Sequence, residues 1–209
     1  MNPCITRLVS LFACAGLLAG CSTTRQEKSA RAVSSMGDLR QLLSKGADQT
    51  VKLKASTDSL ASAKTGDLRN AYDGFAKDAT SLRGIAADVR SLKADMSSAA
   101  GAYLVNWEKE LGQISNSDMK KMSRDRQALM KKEFGDITSA MGALGKAYAA
   151  YEKDIADIEK FLGNDLTQAG STAVKPYLAK LVTEADSVIS ATKKAEGAVA
   201  HLEDALKPK

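Results

Sequence analysis

The feature that most constrains the fold of this chain is an apolar repeat that steps alternately by four and three residues. Its cleanest run extends from Leu68 to Ile114, with lapses at Lys93 and Glu110. A period of about 3.5 residues keeps one face of an α-helix turned towards a partner, so the run predicts a long helix in a bundle or coiled coil. None of the three prolines of the chain lies within this run, so no residue in it breaks a helix.

Three further runs of similar period flank it, from Ala32 to Leu60, from Met122 to Leu162 and from Val174 to Leu206. Segments with Gly, Asn and Asp between the runs predict the turns. The expected helices are residues 30–63, 67–114, 118–162 and 173–206, with residues 163–172 as the longest connection. Short turns make neighbouring helices antiparallel. The predicted fold class is therefore all-α, an elongated antiparallel bundle or coiled coil of about four long helices.

The two central helices are the longest in this prediction. We therefore expect part of their hairpin to project beyond the bundle as a two-stranded antiparallel coiled coil. Small residues on or beside the seams, such as Gly135 and Gly142, predict either close helix approach or local flexibility. Glu110 interrupts the apolar seam, and we expect it to make a polar contact that sets the register of the pair.

The amino-terminal segment has the pattern of a secretory signal peptide. Arg7 is its single charge, and an apolar run from Leu8 to Ala19 follows. The run is short for a transmembrane helix, which needs about 20 apolar residues. It ends in Leu18-Ala19-Gly20-Cys21, which resembles the bacterial lipobox, and in that class the cysteine thiol is acylated after cleavage. The alternatives are an ordinary cleaved signal and an uncleaved anchor.

The lipobox interpretation divides the chain into a signal peptide (residues 1–20), a polar tether (21–29) and one helical domain (30–209). It predicts lipidation of Cys21 and attachment to a membrane through the acyl chains. Ser22 rather than Asp follows the cysteine, which in enteric bacteria resembles cargo released to the outer membrane. The expected location is the inner leaflet of the outer membrane, with the protein facing the periplasm.

Composition weighs against several function classes. From Cys21 onwards the chain has 29 basic and 25 acidic residues, a mild and dispersed excess, and aromatic residues make up 5% of the whole sequence. This is unlike the clustered charge and stacking residues of a nucleic-acid binder. His201 is the single histidine and Cys21 the single remaining cysteine, so multi-histidine or thiolate metal sites and histidine-based triads are not expected. We therefore expect no enzyme activity, no metal and no cofactor.

The residues around the predicted central turn are the candidate partner surface. Tyr103 and Trp107 lie one helical turn apart, which suits either core packing or an exposed aromatic platform. Lys120, Arg124 and Lys131 fall on one side of the next helix, within a segment of six basic residues and one acidic residue. They form either a solvated face or a contact for anionic lipid, lipopolysaccharide or peptidoglycan carboxylates.

The stretch NWEKELGQISNSDMKKMSRDR, residues 106–126, and FLGNDLTQ, residues 161–168, carry a family resemblance. Together with the seams on either side, they make the chain resemble an uncharacterised bacterial lipoprotein family, domain of unknown function 2959. The resemblance covers most of the chain and implies a lipid-anchored, long-helical protein. It implies no activity, substrate or catalytic residue.

These observations lead to two functional expectations. The first is a non-enzymatic cell-envelope lipoprotein that acts as a helical scaffold, spacer or protein-interaction module and has a protein partner in the envelope. The second is a binder or sensor of an apolar or anionic envelope ligand, with its helices splayed around a cavity. Methionines and tyrosines in the seams and the scattered glycines favour the second expectation.

Overall fold

The computed structural model describes residues 25–206, with side chains from residue 34 onwards. The predicted signal peptide and Cys21 lie outside these residues. The described chain forms four long α-helices: α1 (Arg25–Ser62), α2 (Leu68–Gln113), α3 (Ser117–Asn164) and α4 (Gln168–Leu206). Each connection is short, so successive helices run in opposite directions. The predicted all-α class with four long antiparallel helices is confirmed.

The helices are arranged as a closed ring in cross-section. The most extensive contacts join α1 to α4 and α3 to α4, followed by those of α1 with α2, and α2 and α3 touch least. Two ion pairs fix the antiparallel register of α1 and α4: Arg40 with Glu203 at 2.7 Å and Lys54 with Asp186 at 2.6 Å. Because α4 returns beside α1, the apolar seams of all four helices face one interior.

The core consists of the seam residues, and its three buried threonines are bonded within their own helices. Thr50 and Thr57 are both 0% exposed, and each hydroxyl donates to the carbonyl four residues earlier, at 2.8 Å and 2.7 Å. Thr192 does the same in α4 at 2.8 Å. This bonding lets a hydroxyl lie in an apolar seam without an unsatisfied donor. The weak apolar stripe of the first run is therefore compatible with a fully packed helix.

Two helix starts differ from the sequence prediction. α1 begins at Arg25, so the second half of the predicted tether is helical, and α4 begins at Gln168 rather than near residue 173. Thr167 explains the second difference, because its Oγ1 accepts a hydrogen bond from the Gly170 amide at 3.1 Å and so caps the helix. The predicted ten-residue polar loop is in fact a tight turn.

The caps of the central helices agree only in part with the prediction. Asn116 caps α3, since its side chain accepts hydrogen bonds from the amides of Asp118 and Met119, both at 3.0 Å. Asp67 occupies the position before α2 but makes no side-chain capping bond. The turn that joins α2 to α3 is therefore fixed more firmly than the turn that joins α1 to α2.

The end of the molecule near the α2–α3 turn contains three helices rather than the predicted two. Arg126 of α3 contacts the carbonyl oxygen of Ala205, and α4 ends one residue later, while α3 begins nine residues before Arg126. At about 1.5 Å per residue, α3 therefore extends about 12 Å beyond α4. By the same register, α1 begins 15 residues before Arg40, whereas α4 ends 3 residues after Glu203. α1 thus extends about 18 Å beyond α4.

Among the helices of residues 25–206, none is long and apolar enough to cross a membrane.

Candidate interaction surface

The predicted partner residues lie together at one end of the molecule. We call this region the α2–α3 tip and define it as residues 103–131, which include the end of α2, the turn and the start of α3. α4 does not reach past the level of Arg126, so most of the tip is covered by fewer helices than the rest of the bundle. Most of the tip therefore lies beyond the part of the bundle that has four helices.

Trp107 is a core residue of the tip and not an exposed platform. Its side chain is 6% exposed, and its Nε1 donates a hydrogen bond to the Ser123 hydroxyl at 2.9 Å. The Tyr103 ring meets it edge to face, with centroids 5.5 Å apart and planes at 68°. This geometry is favourable for an aromatic pair, and the indole N–H is satisfied. Of the two interpretations from sequence, core packing is the one the structure supports.

A buried amide provides a polar contact between α2 and α3 in the tip. Gln127 is 4% exposed, and its Nε2 donates to the Glu108 carboxylate at 3.0 Å and to the Leu104 carbonyl at 3.4 Å. Glu110 is exposed, and the neighbouring Leu111, 2% exposed, takes the seam position. The seam position predicted for Glu110 was therefore wrong, because the buried seam residue at this point is Leu111.

The three predicted cations surround this contact on α3. Arg124 and Lys131 are exposed and Lys120 is half-buried. Within residues 34–206, no hydrogen bond or ion pair joins any of these three side chains to an acidic group. Neighbouring cations do have partners: Lys121 pairs with Asp125 at 3.0 Å, for example. The structure therefore places Lys120, Arg124 and Lys131 near one another as uncompensated charges.

Four large apolar side chains of the tip are exposed, and they were not predicted as a surface. Val105 is 57%, Met119 62%, Met122 71% and Leu129 41% exposed. Met122 and Leu129 were expected in the seam, which is wrong. A second stripe faces the interior instead and consists of Ser123, Gln127, Met130, Phe134 and Ile137, of which Ser123 and Phe134 are half-buried and the others buried.

That second stripe has the same alternating spacing of four and three, so it could have been found from sequence. Its polar members, Ser123 and Gln127, concealed it. Trp107 explains why this stripe, and not the one with Met122, faces α2. Its large ring needs a small hydrogen-bonding residue opposite, and its Nε1 donates to the Ser123 hydroxyl at 2.9 Å.

A groove of about 230 Å³ adjoins the tip, between α1, α2 and α3. Its lining is mainly apolar and includes Leu39 of α1, Met96, Ala100 and Leu104 of α2, and Phe134 and Ile137 of α3. Several of these residues are only half-buried because α2 and α3 stand apart here. The expectation that helices approach closely at Gly135 and Gly142 was wrong, because a Cβ added at either glycine would meet nothing within 4 Å.

No group of three or more His, Cys, Asp or Glu side chains between residues 34 and 206 could hold a metal ion. His201 is exposed on α4. The deepest titratable group is Tyr151, which is 0% exposed, and burial raises the pKa of its hydroxyl.

The fold and its surfaces define a long antiparallel four-helix bundle in which α2 and α3 touch least. A family model described as "Protein of unknown function (DUF2959)" matches residues 23–202, and the chain belongs to this family. Neither the curated proteins nor the solved structures contain a match to the chain.

Proposed function

We propose that the protein is a non-enzymatic cell-envelope lipoprotein that is acylated on Cys21 and presents its bundle to the periplasm as a scaffold, spacer or interaction module. The observation that carries the proposal is the short distance between the predicted lipid and the folded domain. Three residues separate Cys21 from the start of α1 at Arg25. Such a connection spans at most about 14 Å when fully extended, so the acyl chains would hold the bundle close to the bilayer.

The bundle itself suits a spacer. α3, its longest helix, has 48 residues and is about 70 Å long. Ion pairs join the helices at several levels, including Lys180 of α4 with Asp154 of α3 at 2.5 Å. A rigid rod of this length would hold a partner at a fixed distance from the membrane. We place the anchor in the inner leaflet of the outer membrane, on the basis of Ser22.

Acylation is tested by two cysteine substitutions in the intact chain. Cys21→Ala should abolish incorporation of labelled palmitate and move the protein from the membrane to the soluble fraction. Cys14→Ala changes a cysteine of the same leader outside the lipobox and should leave both properties unchanged. Unaltered labelling and fractionation of the Cys21→Ala variant would contradict the anchor.

The interaction role is tested separately from the anchor. A photoactivatable crosslinker at exposed positions along the rod, such as Val51 or Tyr177, should capture one or a few specific envelope proteins in living cells. Substitution of the exposed residues around the crosslinking position should reduce that capture without changing the amount of protein in the membrane. Capture that is equally diffuse at every exposed position would contradict a dedicated partner.

The groove supports a second candidate function, the binding of an apolar envelope ligand. Its lining by Leu39, Met96 and Phe134 would favour a hydrocarbon chain, and Lys93 at its edge could pair with an anionic head group. Native mass spectrometry of the purified protein should then show a bound small molecule. Ala100→Met should displace it by filling the groove, whereas Ala156→Met, on an exposed site of α3, should not. A wild-type protein free of ligand would contradict this function.

A further inference from the structure

The end of the bundle that carries the predicted lipid is also the end that carries the α2–α3 tip. Relative to the end of α4, α1 continues for about 18 Å and α3 for about 12 Å in the same direction, as the contacts of Arg40 and Arg126 show. The start of α1 at Arg25 therefore lies near the level of the α2–α3 turn. The opposite end consists of the α1–α2 and α3–α4 turns, residues 63–67 and 165–167.

The two ends differ in charge. The tip has six basic and four acidic residues, and the first turns of α1, residues 25–33, have three basic residues and one acidic residue. The acidic residues of the tip are Glu108, Glu110, Asp118 and Asp125. At the opposite end, an equal number of residues around the two turns, 51–79 and 161–169, contain five basic and five acidic residues. The lipid-bearing end is therefore the positively charged one, and it matches the charge of an anionic bilayer surface.

The two ends also differ in exposed apolar surface. Met122 and Met119 lie one and two turns before Arg126 on the same side of α3, the side that meets the end of α4. Beyond Leu206 no described residue of α4 covers them, and they are 62% and 71% exposed. Long flexible apolar side chains beside lysines and arginines are the composition that inserts at a headgroup boundary.

We propose that the α2–α3 tip rests on the surface of the bilayer that holds the Cys21 lipid, with Met119 and Met122 in the headgroup layer and Lys120 and Arg124 against anionic lipid phosphates. This inference rests on the proposed acylation for its geometry. It adds a second contact that orients the rod, so that the opposite end, with the α1–α2 and α3–α4 turns, points away from the membrane. A partner at a distance from the membrane would therefore meet that opposite end.

The test places a polarity-sensitive fluorophore on a single cysteine of the intact acylated protein. In the acylated chain the Cys21 sulfur is a thioether, so Met122→Cys supplies the free thiol. The labelled protein is reconstituted into vesicles of phosphatidylcholine with phosphatidylglycerol, and into vesicles of phosphatidylcholine alone. Tyr177→Cys, on an exposed residue of α4 far from the tip, is the matched control.

We expect the Met122 fluorophore to shift to the blue on the anionic vesicles and to be quenched several-fold less by aqueous iodide than the Tyr177 fluorophore. Lys120→Gln and Arg124→Gln should each lower the ratio of docked to undocked tip about fivefold. Equal iodide quenching at the two positions on the anionic vesicles would overturn the inference.

The mass of the purified protein separates this inference from the proposed function. An acylated protein with an accessible Met122 fluorophore would overturn the membrane contact and leave the anchor standing. A protein without acyl chains whose Met122 fluorophore is nevertheless shielded would overturn the anchor and leave the contact standing. Far-UV circular dichroism of each variant checks that the helices are retained.

Discussion

At the scale of single residues, the glycines of the helices occupy two different environments. Gly170 is buried in the first turn of α4, and a Cβ there would lie 2.3 Å from the Asp165 carbonyl oxygen and 2.8 Å from its carboxylate. Gly145 lies on the exposed surface of α3, and a Cβ there would meet nothing within 4 Å. The first glycine is required by the tight α3–α4 turn, whereas the second is not required by packing.

Alanine at these two positions should therefore have opposite effects. Gly170→Ala forces the Asp165 backbone away and should lower the free energy of unfolding by about 1–3 kcal/mol. Gly145→Ala removes backbone entropy from the unfolded chain and should raise the free energy of unfolding by about 0.5–1 kcal/mol. Urea unfolding followed by far-UV circular dichroism measures both. Changes of the same sign at both positions would contradict the account of the α3–α4 turn.

Tyr151 is a buried tyrosine in an unusual setting. It is 0% exposed, and within the described chain neither its hydroxyl nor Oε2 of Glu184 has a hydrogen-bond partner, although both atoms are buried. Burial raises the pKa of the Tyr151 hydroxyl, and the negative charge of Glu184 raises it further. Burial also raises the pKa of Tyr148, one turn earlier on α3. Both side chains therefore resist ionisation in the folded protein.

This burial predicts a loss of stability in alkali. Below a pH of about 10 the tyrosines are neutral in both states, so they contribute no pH dependence. As the pH rises above about 10, the unfolded chain loses these protons first, and the free energy of unfolding falls. Tyr151→Phe should reduce this fall, and at pH 7 it should be neutral or stabilising by up to about 1 kcal/mol. Urea unfolding across a pH series measures both effects, with Tyr177→Phe as the exposed control.

At the scale of the helices, one arginine forms the main polar connection between α2 and α3. The Arg83 guanidinium donates to both carboxylate oxygens of Glu159, at 2.7 Å and 3.2 Å, and its Nε donates to Glu152 at 3.3 Å. Tyr72 of α2 adds a hydrogen bond to the Glu159 carbonyl at 3.1 Å. α2 and α3 are thus held together near the α3–α4 turn and separate towards the groove.

A double-mutant cycle should distinguish this pair from a surface pair. We expect a coupling free energy of about 1 kcal/mol between Arg83→Ala and Glu159→Ala, since the pair is bidentate and partly buried. The exposed pair of Lys121 and Asp125 within α3 should give only about 0.3 kcal/mol and should lose it in high salt. Equal coupling for the two pairs would show that Arg83 does not connect the helices in solution.

The apolar period was enough to predict the number, order and direction of the helices, but not the contacts of the tip. A repeat of four and three places a residue on a face, and two neighbouring stripes of α3 satisfy that spacing. The choice between Met122 with Leu129 and Ser123 with Gln127 depends on what α2 presents opposite, namely Trp107 and Glu108. The start of α4 was missed for a similar reason, because the capping bond of Thr167 is a local contact within a polar segment.

At the scale of the whole molecule, packing is uneven along the bundle. α4 contacts both of its neighbours extensively, and its seam from Val174 to Leu202 is buried throughout. α2 is buried at its two ends, at Leu68–Leu82 and at Trp107–Leu111. Between these ends its seam residues Val89, Met96 and Ala100 are only half-buried, and the last two line the groove. The middle of α2 therefore has the least apolar burial to stabilise it.

This unevenness predicts where the bundle opens. Local stability follows buried apolar contact, so backbone amides of α2 between residues 85 and 104 should exchange with deuterium faster than those of α4 between residues 174 and 199. Ala100→Leu should slow exchange in α2 if the groove is empty, because the added side chain fills it and gains apolar burial. Ala156→Leu, on the exposed side of α3, is the matched control and should leave the pattern unchanged. Equal protection of α2 and α4 in the wild-type protein would show that the groove is closed in solution and that the four helices open as one unit.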